Sequence, residues 1–102
     1  MINEDVVVLQ EAADDMVQGR SFYDKQLQGV GNYFWDSVLA DIESLKLYGG
    51  IHEKHFGLYR FLCRRFPYAI YYEVADKVVF VVAVLPIKRN PKYLLKQIKE
   101  RS

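Results

Sequence analysis

The sequence predicts an α+β fold: a small, antiparallel-dominated β-sheet carrying a two-helix hairpin on one face. Two observations lead there. Apolar residues recur at helical spacing up to Gly49-Gly50 and then gather into aromatic-rich, strand-like runs after Leu58. A β-branched run also opens the chain ahead of both helices, so one strand precedes the hairpin and three follow it. The 102 residues contain no repeat, linker or low-complexity tract, so the whole chain, 1–102, is expected to form one domain.

Each element has its own signal. Val6, Val7, Val8 and Leu9 read as a short buried strand. From about Glu11 to Gln28, Ala12, Met16, Tyr23 and Leu27 fall at roughly helical spacing. Gly29 and Gly31 bracket a break, and Asn32 is the expected cap of the next helix. On that helix Phe34, Val38, Ile42 and Leu45 form one apolar stripe, ended by Gly49-Gly50. Leu58 to Arg64, Pro67 to Val74 and Lys77 to Leu85 then read as three strands of an antiparallel meander. Their turns are Arg65-Phe66 and Ala75-Asp76. The run from Val78 to Leu85 is apolar on both faces, which marks a central strand, and Pro86 closes it by removing a ladder donor. Pro91 opens a short C-terminal helical tail, with proline in its first turn.

Composition removes several classes of function. With 51% hydrophobic and 26% charged residues the chain reads as neither disordered nor a membrane span. Its longest apolar run, Val78 to Ile87, is too short to cross a bilayer. Glu4 and Asp5 stand where a secretory signal carries basic residues, so a cytoplasmic location is expected. A single cysteine, Cys63, excludes an intramolecular disulfide and a Cys-cluster zinc site. Cys63 lies within a predicted strand with no histidine placed to activate it, which favours a small core residue over a nucleophile. His52 and His55 flank Glu53 and Lys54 at a sheet edge or in a loop. Glu53 is too close to face the same way, so they read as exposed loop histidines, and no metal is expected. The GVG at 29–31 lacks the strand-to-helix setting and the lysine of a phosphate loop, and no cofactor is expected.

Charge is distributed unevenly. Residues 1–50 hold three basic and nine acidic side chains, whereas 51–102 hold eleven basic and four acidic. That split implies an acidic layer and a basic face. Arg60 and Arg64, four apart on one predicted strand, fit a positive stripe, and adjacent Arg64 and Arg65 would point to opposite faces. Phosphate, an acidic protein or plain solvent are all suitable neighbours for such a strand end. Tyr59, Phe61, Phe66, Tyr68, Tyr71 and Tyr72 suit a sheet core better than a base-stacking platform. Trp35, partly off the helical stripe, either covers the sheet edge or meets a partner. Cleaving RNA through a 2′-hydroxyl needs cations and proton movers. Arg60, Arg64, Lys88 and Arg89 are the candidate cations, and His52, His55 and Tyr93 the candidate proton movers.

The ordered set of segments resembles the RelE/ParE superfamily of bacterial toxins from type II toxin–antitoxin systems. FYDKQLQGVGNYFWDSVLADIESL resembles the family's two-helix segment, RRFPYAIYYEV the way the ParE branch begins its third strand, and KVVFVVAVL with Asn90-Pro91 the closing strand and basic tail. The likeness spans roughly Val6 to Tyr93 and is closer to the ParE branch. It departs at Pro86 and Ile87, where ParE-like sequences commonly carry histidine and glycine, while Lys88 and Arg89 keep the basic pair. By resemblance the chain is a plasmid-stabilisation-type toxin that inhibits DNA gyrase by binding, through Arg60, Arg64, Lys88 and Arg89. A cognate antitoxin would neutralise it in a hetero-oligomer, with no membrane involved. The alternative is a RelE-like, ribosome-dependent mRNA endoribonuclease in which Lys88 and Arg89 supply charge and Tyr93 orientation or proton transfer. In that branch a second basic position falls on Ile87 and is lost, and a sequence pI of about 7.8 is modest for a protein engaging dense phosphate. A third alternative is an inactive relative retained as an antitoxin-binding partner.

Overall fold

β-Branched Val6–Val8 form β1 (Asp5–Val8), and α1 (Gln10–Gln26) and α2 (Val30–Tyr48) follow as a hairpin in the computed structural model, which describes residues 2–101. After them come β2 (Lys54–His55), β3 (Leu58–Leu62), β4 (Tyr68–Ala75), β5 (Val78–Pro86) and α3 (Pro91–Arg101). The strands lie in the order β1-β5-β4-β3-β2. β1 is parallel to β5 and every other pair is antiparallel, so the α+β class, the hairpin, the meander and the helical tail are all as the sequence implied. β5 is central, as its two apolar faces require.

A β-bulge lets β5 serve two cores. Tyr71 opposes Ala83 and Tyr72 opposes Val81, so Val82 is the extra residue. Val79, Val81 and Val84 pack with Tyr68, Ile70 and Tyr72 under the hairpin stripe of Phe34, Val38, Ile42 and Leu45. Val82, Ala83 and Leu85 pack with Leu58 and Tyr71 under Leu94 and Ile98 of α3. The crowded strand aromatics are therefore mostly core, and Trp35 is half-buried against the hairpin core beneath the Arg20 guanidinium.

Several boundaries differ from the sequence reading. α2 begins at Val30, three residues early, because Gly29 takes a left-handed conformation (φ 94°) and Asp24 of α1 accepts the Gly31 N–H at 2.7 Å. Asn32 is an exposed residue inside the first turn and not the cap. β3 stops at Leu62, since Asp41 of α2 accepts the Arg64 N–H at 3.1 Å and draws the chain away from the sheet. Arg60 and Arg64 consequently form no stripe along a common strand. The β4–β5 turn is Asp76-Lys77, both at positive φ, one residue beyond the expected position. The last core detail is Asn3, 2% exposed, whose Nδ2 donates to the Leu45 and Gly49 carbonyls and closes the C-terminus of α2.

Candidate functional site

The predicted cations fall into separate places. Lys88 and Arg89 sit on the turn between β5 and α3. The Ile87 N–H donates to the Pro67 carbonyl at 2.9 Å, and Asn90 Oδ1 accepts the Lys92 N–H at 2.8 Å to cap α3. This turn stands at one end of a cleft of about 610 Å³ between α1, the ends of β4 and β5, and α3. Tyr93 lies in the same cleft, with the Arg89 guanidinium 4.6 Å from its ring centroid. Neither Lys88 nor Arg89 has a carboxylate partner among the described residues.

The cleft wall holds an ion pair that the sequence reading missed. β1 ends at Val8 while β5 continues, so the edge of β5 beyond Val81 has no strand beside it. Asp15 Oδ2 accepts the Val84 N–H at 2.9 Å, and the Val82 carbonyl accepts from Arg101 Nη1 at 3.3 Å. The two side chains meet bidentately, at 2.5 and 2.9 Å, each 8% exposed. Arg101 Nε is buried without a hydrogen bond, 3.5 Å from a Glu11 carboxylate oxygen. The hydrogen bonds that Arg101 donates to Asp15 raise the guanidinium pKa further and hold it charged. These residues stand 86 positions apart, a separation that hides the pairing from any local pattern.

Two tyrosines of the cleft are likewise shifted. Burial raises the Tyr68 and Tyr23 hydroxyl pKa values, and at Tyr68 the nearby Arg89 charge pulls partly the other way. Both phenols stay protonated at neutral pH and so remain hydrogen-bond donors.

His52, His55 and Arg60 line a different, shallower groove of about 500 Å³. His52 is not a free loop residue: its ring stacks on Phe61 at 4.5 Å and its Nδ1 lies 2.5 Å from the Tyr72 hydroxyl, which also accepts the Gly50 N–H. Burial lowers the His52 pKa, so the ring is neutral at physiological pH. His55 Nδ1 accepts from Arg60 Nη1 at 3.4 Å, and its Nε2 stands 3.9 Å from Glu53, which the sequence reading expected to face away. Neither histidine lines the cleft of Lys88, Arg89 and Tyr93. Cys63 is half-buried, and burial followed by the Asp41 carboxylate pushes its thiol up to about 12, the opposite of an activated nucleophile. Among the described residues no group of three or more His, Cys, Asp or Glu could hold a metal ion, and no helix is long and apolar enough to cross a membrane.

No protein-family model and no curated protein matches the sequence. Among solved structures, a chain described as the chromosomal ParDE TA system from P. aeruginosa superposes with a TM-score of 0.75. The match covers 82% of this chain and 96% of that one at 11% sequence identity, so the likeness is one of fold. The fold implied by the resemblance to RelE/ParE-type toxins is the fold this chain has.

Proposed function

We propose that this chain is the toxin of a type II toxin–antitoxin pair, ParE-like, which inhibits DNA gyrase by binding and is neutralised by a cognate antitoxin. The observation that carries the reading is the disposition of its cations on a fold shared with a ParDE chain. Arg60 lies on β3 in the shallow groove, Arg64 just past that strand and the Lys88-Arg89 pair on the turn between β5 and α3, a spread that suits contact with a broad protein surface. The histidines best able to move a proton belong to the other groove and are engaged with Tyr72 and Arg60. Binding rather than turnover is what such an arrangement supports.

Supercoiling by purified gyrase with the protein titrated in tests this. The expected result is inhibition with accumulation of cleaved DNA, lost in Lys88→Ala/Arg89→Ala. No effect at micromolar excess would reject the target. The mRNA endoribonuclease reading keeps one observation in its favour, the meeting of Lys88, Arg89 and Tyr93 in a single cleft. New mRNA ends in a translating extract, absent with the double variant, would establish it instead. Silence in both assays, with an encoded neighbour still binding, would identify the inactive relative.

A further inference from the structure

Positive charge gathers on the outer face of α3. Leu94 and Ile98 turn inward to the core they share with Leu58, Tyr71 and Leu85, while Lys92, Lys96 and Lys99, at i, i+4 and i+7, stand exposed on the opposite side. The three lysines line a shallow groove of about 380 Å³ together with Leu95 and Glu100. Exposed Lys88 and Arg89 continue the positive surface into the turn ahead of the helix. Lys88, Lys92 and Lys99 have no carboxylate partner among the described residues. Lys96 has only exposed Glu100, at 4.0 Å, a pair worth little in water. Both hairpin helices pack on the other face of the sheet, so α3 stands alone on its own face as a ridge. Like charges held together on such a ridge repel, and a polyanion relieves that repulsion.

We infer that this ridge binds the phosphate backbone of double-helical DNA without regard to base sequence. Its three lysines span about 10 Å of helix axis. B-DNA carries a negative charge every ~1.7 Å along its own axis, so each ammonium has a phosphate within reach. A single helix standing on a sheet fits the roughly 12 Å major groove of B-DNA, whose walls are phosphates, and not the deep, narrow one of double-stranded RNA. Bases go unread because the outer face offers no arginine, asparagine or glutamine. Gln97 accepts from Arg101 at 3.3 Å, and Arg101 is spent on Asp15. Single strands ask for exposed aromatic rings, and Tyr93, the one ring on α3, lies under the Arg89 guanidinium. A membrane surface asks for large apolar side chains, and α3 exposes none. The proposal deepens the gyrase reading and rests on it only for where the DNA is met, on the enzyme that holds it.

Fluorescence anisotropy of the full chain with a labelled DNA duplex of about 20 base pairs, at ~50 and ~200 mM salt, tests this. Log affinity should fall against log salt with a slope of about −3 to −4, and a duplex of shuffled sequence should bind equally well. Lys92→Gln/Lys96→Gln/Lys99→Gln should bind at least about tenfold more weakly at the lower salt, with a slope near −1 on the order of one remaining contact. Lys25→Gln/Lys46→Gln/Lys77→Gln removes the same charge from exposed positions elsewhere and should stay within about threefold of the parent. All six lysines are exposed, so both triple variants should melt with the parent. No binding at roughly 0.5 mM protein, or equal weakening in the two triple variants, would overturn the inference. So would tighter binding of duplex RNA, polyglutamate or phosphatidylserine vesicles than of the DNA. Gyrase inhibition by a protein that binds no DNA would sink this site and spare the function. DNA binding without any effect on gyrase would do the reverse.

Discussion

Arg101 ties three elements together: its guanidinium leaves α3, passes the unpaired edge of β5 at the Val82 carbonyl and reaches Asp15 on α1. Removing one partner of a buried ion pair strands the other charge, so Asp15→Asn and Arg101→Gln should each lower stability by about 3 kcal/mol in denaturant unfolding. The pair made apolar, Asp15→Leu with Arg101→Met, should recover only part of this, because the Val84 N–H still loses its acceptor. Cys63 gives a second residue-scale prediction. Its folded pKa is raised from 9.0 to about 12, so between those values the unfolded chain releases a proton that the folded one retains. Stability from this site is complete below about pH 9 and is lost as pH rises toward 12. The gap between the parent and Cys63→Ala should therefore shift with pH, by at most about 1.4 kcal/mol per unit across that window. A gap independent of pH would refute it. None of this was legible in the sequence, where Asp15 is one of nine acidic residues in the first half and Cys63 a plain strand position.

At the scale of elements the sequence was far more informative. Hydrophobic period is a property of the buried face itself, so the hairpin stripe and the three long strands were readable from spacing alone. Boundaries were not, because tertiary partners set them. Asp24 reaches back from α1 to start α2 early, and Asp41 ends β3 before Arg64. Two-residue β2 has too few positions to show any period. A close approach hidden from sequence supports the hairpin: a Cβ on Gly19 would stand 2.5 Å from the buried Phe34 ring. Gly19→Ala gains helix propensity but forces that ring to move, so it should destabilise by about 1–3 kcal/mol. A thermal midpoint equal to or above the parent's would show that the ring yields freely. The Asp76-Lys77 turn offers the opposite sign. Both residues occupy positive φ, at 51° and 64°, without glycine. Asp76→Asn with Lys77→Gly should raise stability by about 1 kcal/mol, worth roughly 4–8 °C in the thermal midpoint.

For the molecule as a whole, the charge split of the sequence becomes a split between layers. The hairpin on one face of the sheet exposes Asp14, Asp24, Asp36 and Glu43, while α3 on the other exposes Lys92, Lys96 and Lys99 next to Lys88 and Arg89. The cleft opens where the two layers meet, which is why its cations came from the sequence pattern while its other half, Asp15 and Tyr68, came only from folding. A molecule with one acidic and one basic face attracts its own copies when salt does not intervene. At ~10 mM salt the Debye length, about 30 Å, exceeds the 21 Å shortest extent of the protein, whereas at ~150 mM it falls to about 8 Å. Light scattering should accordingly show net attraction between molecules at the lower salt and none at the higher. Lys92→Glu, Lys96→Glu and Lys99→Glu together would give both faces the same sign, and the attraction should then turn to repulsion at low salt. Attraction that survives this reversal would have to arise from the exposed apolar groups near the end of α2, Leu47, Tyr48 and Ile51, and would persist at high salt as hydrophobic contact does.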